Sequence, residues 1–326
     1  MSEAAPAILK LTNVVKQYRV GRLGAGQKIR AVDGVNLAVK KGEIFGIAGE
    51  SGCGKSTIAK MISNLLDVSE GEIQLEDCPA KFRNREELMD YRRKVQMIFQ
   101  DPYSSCNPKK TVRHSVLMPL KSLAKLNGEE MNRKFKIVMD WVGIPERLHD
   151  AYPHELSGGQ LQRVAIARAL IIDPLVLVAD EPIAALDVSI QSQILNLLTE
   201  LQAKIGLTIL FISHDLRVVH KFTERTAIMY LGNIVETGPT DDLFGRPAHP
   251  YTQALTRSIP RLDAEEGSRL EGLSGEVPSL YDIPAGCPFQ TRCEYKMERC
   301  AREKPSLAPI GDGSRMVACH YPIGGE

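Results

Sequence analysis

The sequence predicts an α/β fold with a mixed, largely parallel sheet core, a helical insertion and a small cysteine-containing C-terminal appendage. Three observations carry that expectation. First, from Ile8 to about Phe244 short β-branched runs alternate with helical stretches. Three of the four clearest runs, Glu43–Ala48, Val95–Phe99, Leu175–Ala179 and Leu207–Ile212, are mostly apolar on both faces, as in buried parallel strands covered by helices. Second, strand patterning stops between Lys109 and about Leu148, where segments such as Met131–Trp141 look helical. Third, after the helix-like Tyr251–Ile259 the chain turns rich in Pro, Gly and Cys, without periodicity as far as Glu326. These shifts place a main domain at residues 1–245, with a helical subdomain at about 105–172, and a loop-rich appendage at 246–326.

Length and composition agree with this division. The chain has 326 residues, more than one average domain, and its 43% hydrophobic and 25% charged residues support a globular core. Lysine plus arginine (41) nearly cancels aspartate plus glutamate (40), so there is no basic excess to draw in nucleic acid, and none is expected as a partner. The start, MSEAAPAILKLTN, lacks a positive stretch followed by an apolar one, and the run from Ala169 is cut by Asp173-Pro174. We therefore expect no signal peptide and no spanning helix, a cytoplasmic location, and any membrane role exercised through a partner subunit. The seven cysteines then read as thiols or metal ligands rather than disulfides.

Gly49-Glu50-Ser51-Gly52-Cys53-Gly54-Lys55-Ser56-Thr57 follows the strand Glu43–Ala48 and opens the helix-like Ile58–Leu66. It matches G-x-x-x-x-G-K-[ST] in the strand–loop–helix setting the motif requires. Gly49, Gly52 and Gly54 let backbone N–H groups, including that of Ser51, turn toward a polyphosphate, and the helix start adds its positive end. Lys55 can neutralise the β- and γ-phosphates of ATP and the Ser56 hydroxyl can ligate Mg2+, with Thr57 completing the loop. Cys53 reads as a small filler, although a helix start tends to lower a thiol's pKa. Asp180 ends the run Leu175–Ala179 and Glu181 follows it. Such carboxylates can hold magnesium and polarise an attacking water, although alone an Asp-Glu pair could equally cap a helix.

Leu156-Ser157-Gly158-Gly159-Gln160, followed by Leu-Gln-Arg-Val-Ala-Ile-Ala-Arg-Ala-Leu, puts a serine and two glycines at a helix start, a second candidate anion cradle in a chain with one phosphate loop. On this segment, together with the phosphate loop, the chain resembles the ABC-type P-loop ATPases. The resemblance implies an ATP sandwiched head to tail, with Ser157, Gly158, Gly159 and Gln160 reaching the nucleotide on a partner's phosphate loop. It also implies that Tyr18 stacks on adenine, that Gln100 touches magnesium and senses the membrane subunit, and that Glu181 is the catalytic base. His214 would contact the γ-phosphate and Asp187 would stand in the loop that crosses the dimer. Ile183-Ala184 replace the Thr-Ser common in that loop.

Phe99-Gln-Asp-Pro-Tyr-Ser-Ser-Cys-Asn-Pro and His249-Pro-Tyr-Thr-Gln-Ala-Leu narrow the resemblance to the ATP-binding subunits of dipeptide and oligopeptide importers, with related members serving nickel or antimicrobial peptides. The match covers nearly the whole chain and implies the second of two ATPase types. It further implies a heterodimer with a homologous ATPase subunit, two permease subunits above it, and an extracytoplasmic substrate-binding protein acting through the permease, with this chain peripheral on the cytoplasmic face. Soluble DNA-handling relatives would carry a long coiled coil between phosphate loop and LSGGQ, where about a hundred residues without sustained heptads stand here. Translation-type relatives would need two cassettes. The remaining alternative is an ABC-type ATPase in a non-transport role, such as iron–sulfur assembly or a redox scaffold.

Cys287, Cys293, Cys300 and Cys319 gather in the appendage with spacing C-x5-C-x6-C and then a long gap, unlike the paired C-x2-C of zinc ribbons. By residues alone the four leave an iron–sulfur cluster, zinc and free thiols open. The resemblance implies a [4Fe–4S] cluster. Because the segment is poor in periodic apolar residues, a metal is expected to staple it. His320 adjoins the last cysteine as a competing ligand or a solvent-facing residue.

Overall fold

A computed structural model describes residues 6–20, 27–124, 126–259 and 275–324. Two sheets organise it. The first is antiparallel, built from β1 (Ala7–Val20), β2 (Gln27–Lys40), β4 (Glu70–Leu75) and β5 (Cys78–Pro79) in the order β2-β1-β4-β5. The second has eight strands. Its parallel part holds β3 (Ile44–Ala48), β6 (Val95–Ile98), β7 (Val176–Asp180), β8 (Thr208–Ser213) and β9 (Arg225–Tyr230), in the order β9-β3-β8-β7-β6 with β6 at the edge. Every residue of β3, β7 and β8 is buried, which is why these strands read as continuous apolar runs. The α/β expectation holds.

Between β6 and β7 the described backbone is helical, with Val112–Leu123, Gly128–Trp141 and Gly158–Leu170 as its longest helices. Gly128–Trp141 begins at a reciprocal cap, Asn127 accepting from the Glu130 N–H while the Glu130 carboxylate accepts from that of Asn127. Helix boundaries differ from expectation, most at the helix expected at Ile58–Leu66, which runs from Lys55 to Ile62. It starts on the left-handed Gly54 and stops because Asn64 takes φ 50°, a helix-ending conformation that short polar residues tolerate.

The C-terminal region is also more integrated than a loop-rich appendage. Its strands β11 (Ala308–Ile310) and β12 (Arg315–Val317) extend the large sheet, β12 pairing antiparallel with β10 (Asn233–Pro239) and β11 antiparallel with β12. Cys287, Phe289 and Cys300 belong to the main hydrophobic core. Phe289 lies 5.3 Å, ring to ring, from both Tyr230 and Tyr251, contacts each contributing about 0.5–1.5 kcal/mol beyond area burial. Three-residue strands and single anchoring side chains carry no periodicity, so composition alone underestimated how firmly this region is held.

Candidate nucleotide site

In a parallel sheet all strand C-termini lie along one edge, and the loops that leave this edge form the crevice where ligands bind in such folds. Four of them meet here. From β3 comes the phosphate loop. Gly49 takes φ 151°, and a Cβ there would lie 2.1 Å from the Met229 carbonyl oxygen; Gly54 takes φ 109°, with a Cβ only 2.4 Å from that of Ala31. Only glycine fits either place. Lys55 is buried, and its Nζ donates to the carbonyls of Gly49 at 2.7 Å and Glu50 at 2.9 Å, so the ammonium lies folded along the loop it serves. Ser51 and Ser56 are exposed, and Gly52 and Thr57 continue the loop and its helix.

From β7 come Asp180 and Glu181. Ser56 Oγ donates to Asp180 Oδ1 at 3.0 Å, setting a hydroxyl and a carboxylate where one magnesium could use both. Burial holds the Asp180 carboxyl above its ordinary pKa, and the neighbouring Glu181 charge adds to this; a bound cation would reverse the effect. Glu181 takes a left-handed φ of 49°, strain of the kind that collects at functional sites. Its N–H donates to the Ile212 carbonyl at 2.9 Å. From β6 comes Gln100, whose Nε2 donates to Glu181 Oε2 at 3.0 Å, and from beyond β8 comes His214, whose Nδ1 stands 3.0 Å from Oε1 of the same carboxylate. The structure thus brings together Lys55, Ser56, Asp180, Glu181, Gln100 and His214.

Other sequence-selected residues stand apart from this group. Tyr18 is on β1, opposite Ile29, with Lys16 Nζ 5.5 Å from its ring centre. Ser157 caps the helix Gly158–Leu170 in a reciprocal box with Gln160, and Gly159 is fixed by packing, since a Cβ would meet Ile190 at 2.6 Å. Among the described residues no hydrogen bond joins Ser157 to the phosphate loop of its own chain. Asp187 starts the helix Val188–Ile205 without a side-chain cap bond. Ile183 is buried, and the Gln191 amide ties this loop down through the carbonyls of Ile183 and Leu186. Cys53 is buried, in keeping with a small filler, and burial pushes its thiol pKa up, outweighing the nearby Lys55 charge and the lowering a helix start would bring.

Sequence reasoning missed the contacts behind the loop. The Glu50 N–H donates to Tyr251 Oη at 3.0 Å, and Arg292 pairs with the Glu50 carboxylate at 2.8 and 3.1 Å. His249 is buried and neutral, its pKa pushed down to about 3 by burial, and its Nδ1 accepts the Tyr251 N–H, capping the helix Pro250–Arg257. No periodicity or spacing announces Arg292.

Cys287, Cys293, Cys300 and Cys319 line one small cavity, with His249 and His320 at its wall. Burial raises the thiol pKa values of Cys287, Cys293 and Cys319, that of Cys287 to about 11, with the neighbouring cysteines adding to the rise. The donor set suits iron–sulfur chemistry in kind. Yet among the described residues no three His, Cys, Asp or Glu side chains converge closely enough to hold a metal ion, and the space of about 10 Å³ takes about one water. Zinc would draw sulfurs to about 3.8 Å of one another, given Zn–S bonds of about 2.3 Å. A cluster spreads its ligands more widely than a single ion does. His320 Nε2 instead meets the Glu303 carbonyl at 3.0 Å.

A phosphate loop, a paired hydroxyl and carboxylate, and a second carboxylate held by glutamine and histidine at the edge of this sheet define an ATP-hydrolysing ABC cassette. Residues 32–184 match the ABC transporter family model, and residues 235–300 match that of the oligopeptide/dipeptide transporter C-terminal region. The chain is 44% identical over 302 residues to the putative oligopeptide transport ATP-binding protein YkfD of Bacillus subtilis, covering 91% of each chain. It is 39% identical to the dipeptide transport ATP-binding protein DppF of Haemophilus influenzae, covering 96% of each. Among solved structures it resembles the dimeric ADP- and phosphate-bound cassette MJ0796, with a TM-score of 0.64 and 34% identity over 71% of this chain and 98% of that one. It also resembles cbiO1 of Clostridium perfringens, with a TM-score of 0.65 and 31% identity over 74% and 92%. The chain belongs to the ABC transporter family, among the ATP-binding subunits that end in the oligopeptide/dipeptide transporter C-terminal region. Among the described residues no helix is long and apolar enough to cross a membrane.

Proposed function

We propose that this chain energises import of di- or oligopeptides, working as a peripheral subunit on the cytoplasmic face beneath two permease subunits. We take residues 1–245 as its nucleotide-binding domain, with a helical subdomain at about 105–172, and 246–326 as its C-terminal region. The observation that carries the reading is the meeting of Lys55, Ser56, Asp180, Gln100, Glu181 and His214 at one sheet edge, in a chain whose C-terminal region matches that of peptide transporters. The relatives' names, dipeptide and oligopeptide transport ATP-binding proteins, support the substrate class. A second, homologous ATPase subunit completes the dimer, and a substrate-binding protein on the far side delivers peptide to the permease.

In this reading the phosphate loop N–H groups and Lys55 bind the β- and γ-phosphates, and Tyr18 stacks on adenine. Ser56, Gln100 and Asp180 would hold Mg2+, which would supply neutralisation of phosphate charge. Glu181 takes a proton from the attacking water, with His214 and Gln100 fixing its two oxygens; His214 also orients the γ-phosphate. Ser157, Gly158, Gly159 and Gln160 complete the partner's site, and Asp187 crosses the dimer. Binding closes the pair and moves the permease; hydrolysis reopens it.

The test is assembly and coupling. Purified from its own membranes, the chain should bring two permease chains and a second ATPase, and in vesicles peptide-loaded binding protein should stimulate turnover several-fold. Ser157→Arg should abolish that stimulation and damage the partner's site first, as read by site-resolved nucleotide trapping. Loss at this chain's own phosphate loop would refute the shared site.

For the C-terminal region we propose that Cys287, Cys293, Cys300 and Cys319 ligate a structural [4Fe–4S] cluster. The shared cavity and the thiol donor set support this reading, and the small volume between the thiols tells against a preformed site. Anaerobically purified protein should be brown, with about four irons per chain. Cys293→Ser should bleach it and weaken assembly while ATP binding persists. Zinc, or no metal, in such protein sinks the assignment.

A further inference from the structure

We infer that Arg292 and Tyr251 are positioning residues for ATP binding: from the C-terminal region they hold Glu50, and with it the phosphate loop, in its binding form. Glu50 is gripped at three points. Its N–H donates to Tyr251 Oη at 3.0 Å, its carbonyl accepts from Lys55 Nζ at 2.9 Å, and its carboxylate takes two N–H bonds from one guanidinium, at 2.8 Å and 3.1 Å. That fork-to-fork pairing is the strongest arrangement the two groups can make. Nor are the gripping groups loose. The Arg292 side chain is only 3% exposed and lies over the Tyr230 ring, 5.9 Å from its centre. Tyr251 is fully buried against Tyr230 and Phe289.

Electrostatics gives the arrangement a definite sign. Glu50 is part of a loop built to receive a polyphosphate, and its side chain is 25% exposed, so its charge is incompletely screened by water. Left unpaired, that carboxylate repels the incoming phosphates. Paired with Arg292 it does not. The geometric effect acts in the same direction: a loop with Gly49, Gly52 and Gly54 all at positive φ has many alternative conformations, and a fixed Glu50 removes most of them before ATP arrives. Arg292 adjoins Cys293, so the same stretch of chain carries the thiols and the guanidinium.

The inference rests on the phosphate loop being the nucleotide site, and its test separates the two claims. The full chain is titrated with a slowly hydrolysed ATP analogue and magnesium, and the melting temperature of each variant is recorded without nucleotide. Arg292→Gln should weaken the analogue about tenfold. Glu50→Gln, which removes the repelling charge but leaves Arg292 only an amide oxygen to hold, should cost about threefold, and the Glu50→Gln/Arg292→Gln double variant should likewise recover to within about threefold of the parent, because the repelling charge has gone with its partner. Tyr251→Phe, which keeps the ring packing and loses the acceptor, should cost about threefold. A tail that merely undocks predicts instead a double variant as weak as Arg292→Gln, and that result overturns the inference, as does an Arg292→Gln affinity within twofold of the parent. Lys55→Ala is the control: unchanged binding there removes the site and the inference together, whereas loss there with Arg292→Gln unaffected removes only the role of the C-terminal region.

Discussion

Glu181→Gln is expected to slow ATP turnover at this chain's own site by a factor of about 10²–10³ while leaving ATP bound, so that closed, nucleotide-trapped dimers accumulate. The amide has the size of the carboxylate and can still accept at one oxygen from Gln100, 3.0 Å from the present carboxylate, but it cannot take a proton from water. The backbone argument points the same way. Glu181 holds φ 49° and donates its N–H to Ile212, so an isosteric replacement inherits the strained position without new clashes. Single-turnover hydrolysis and retention of radiolabelled ATP at this site measure the two effects separately. Near-normal turnover there would remove Glu181 from the role of base. His214, on the other carboxylate oxygen, cannot rescue the variant, because it orients the group that has lost its basicity.

Lys55→Ala should fail at the earlier step, with ATP affinity falling by roughly two orders of magnitude, the cost of deleting one member of a buried, charge-assisted contact. The ammonium that would meet the phosphates is already desolvated and directed by the carbonyls of Gly49 and Glu50, so little of its binding energy goes into ordering it. Truncation also leaves those two carbonyls short of a donor, which loosens the loop. Equilibrium titration with a fluorescent ATP analogue reads the change, and an unchanged affinity would remove Lys55 from phosphate binding. The contrast between the two variants separates roles: one binds and does not cleave, the other scarcely binds. Both loops leave the same sheet edge, so the separation cannot be ascribed to distance.

The sheet core and the elements of the nucleotide site were legible because each is local. A phosphate loop is nine consecutive residues after one strand, Asp180-Glu181 closes another, and Gln100 and His214 each follow an apolar run that marks a buried parallel strand. Parallel pairing then brings these ends to one edge without further instruction. The helix at Lys55–Ile62 was placed late by three residues, because hydrophobic periodicity begins at Ile58 whereas the helix begins at the left-handed Gly54. Cys53 went the other way: its position at a helix start argued for a lowered pKa, and its burial, which no spacing reveals, raised it.

What the sequence alone determined, then, is an ABC-type α/β cassette with its phosphate loop, its acidic strand end and its LSGGQ segment, since these are contiguous runs whose chemistry and local conformation are set by near neighbours. The tertiary structure alone decided how the C-terminal region joins it. A three-residue strand on β10, Phe289 between two tyrosines, and an Arg292–Glu50 pair 242 positions apart arise from packing between distant segments. Such partners share no period and no spacing, so only the folded chain, in which the sheet edge carries Glu50 to within 2.8 Å of that guanidinium, can pair them.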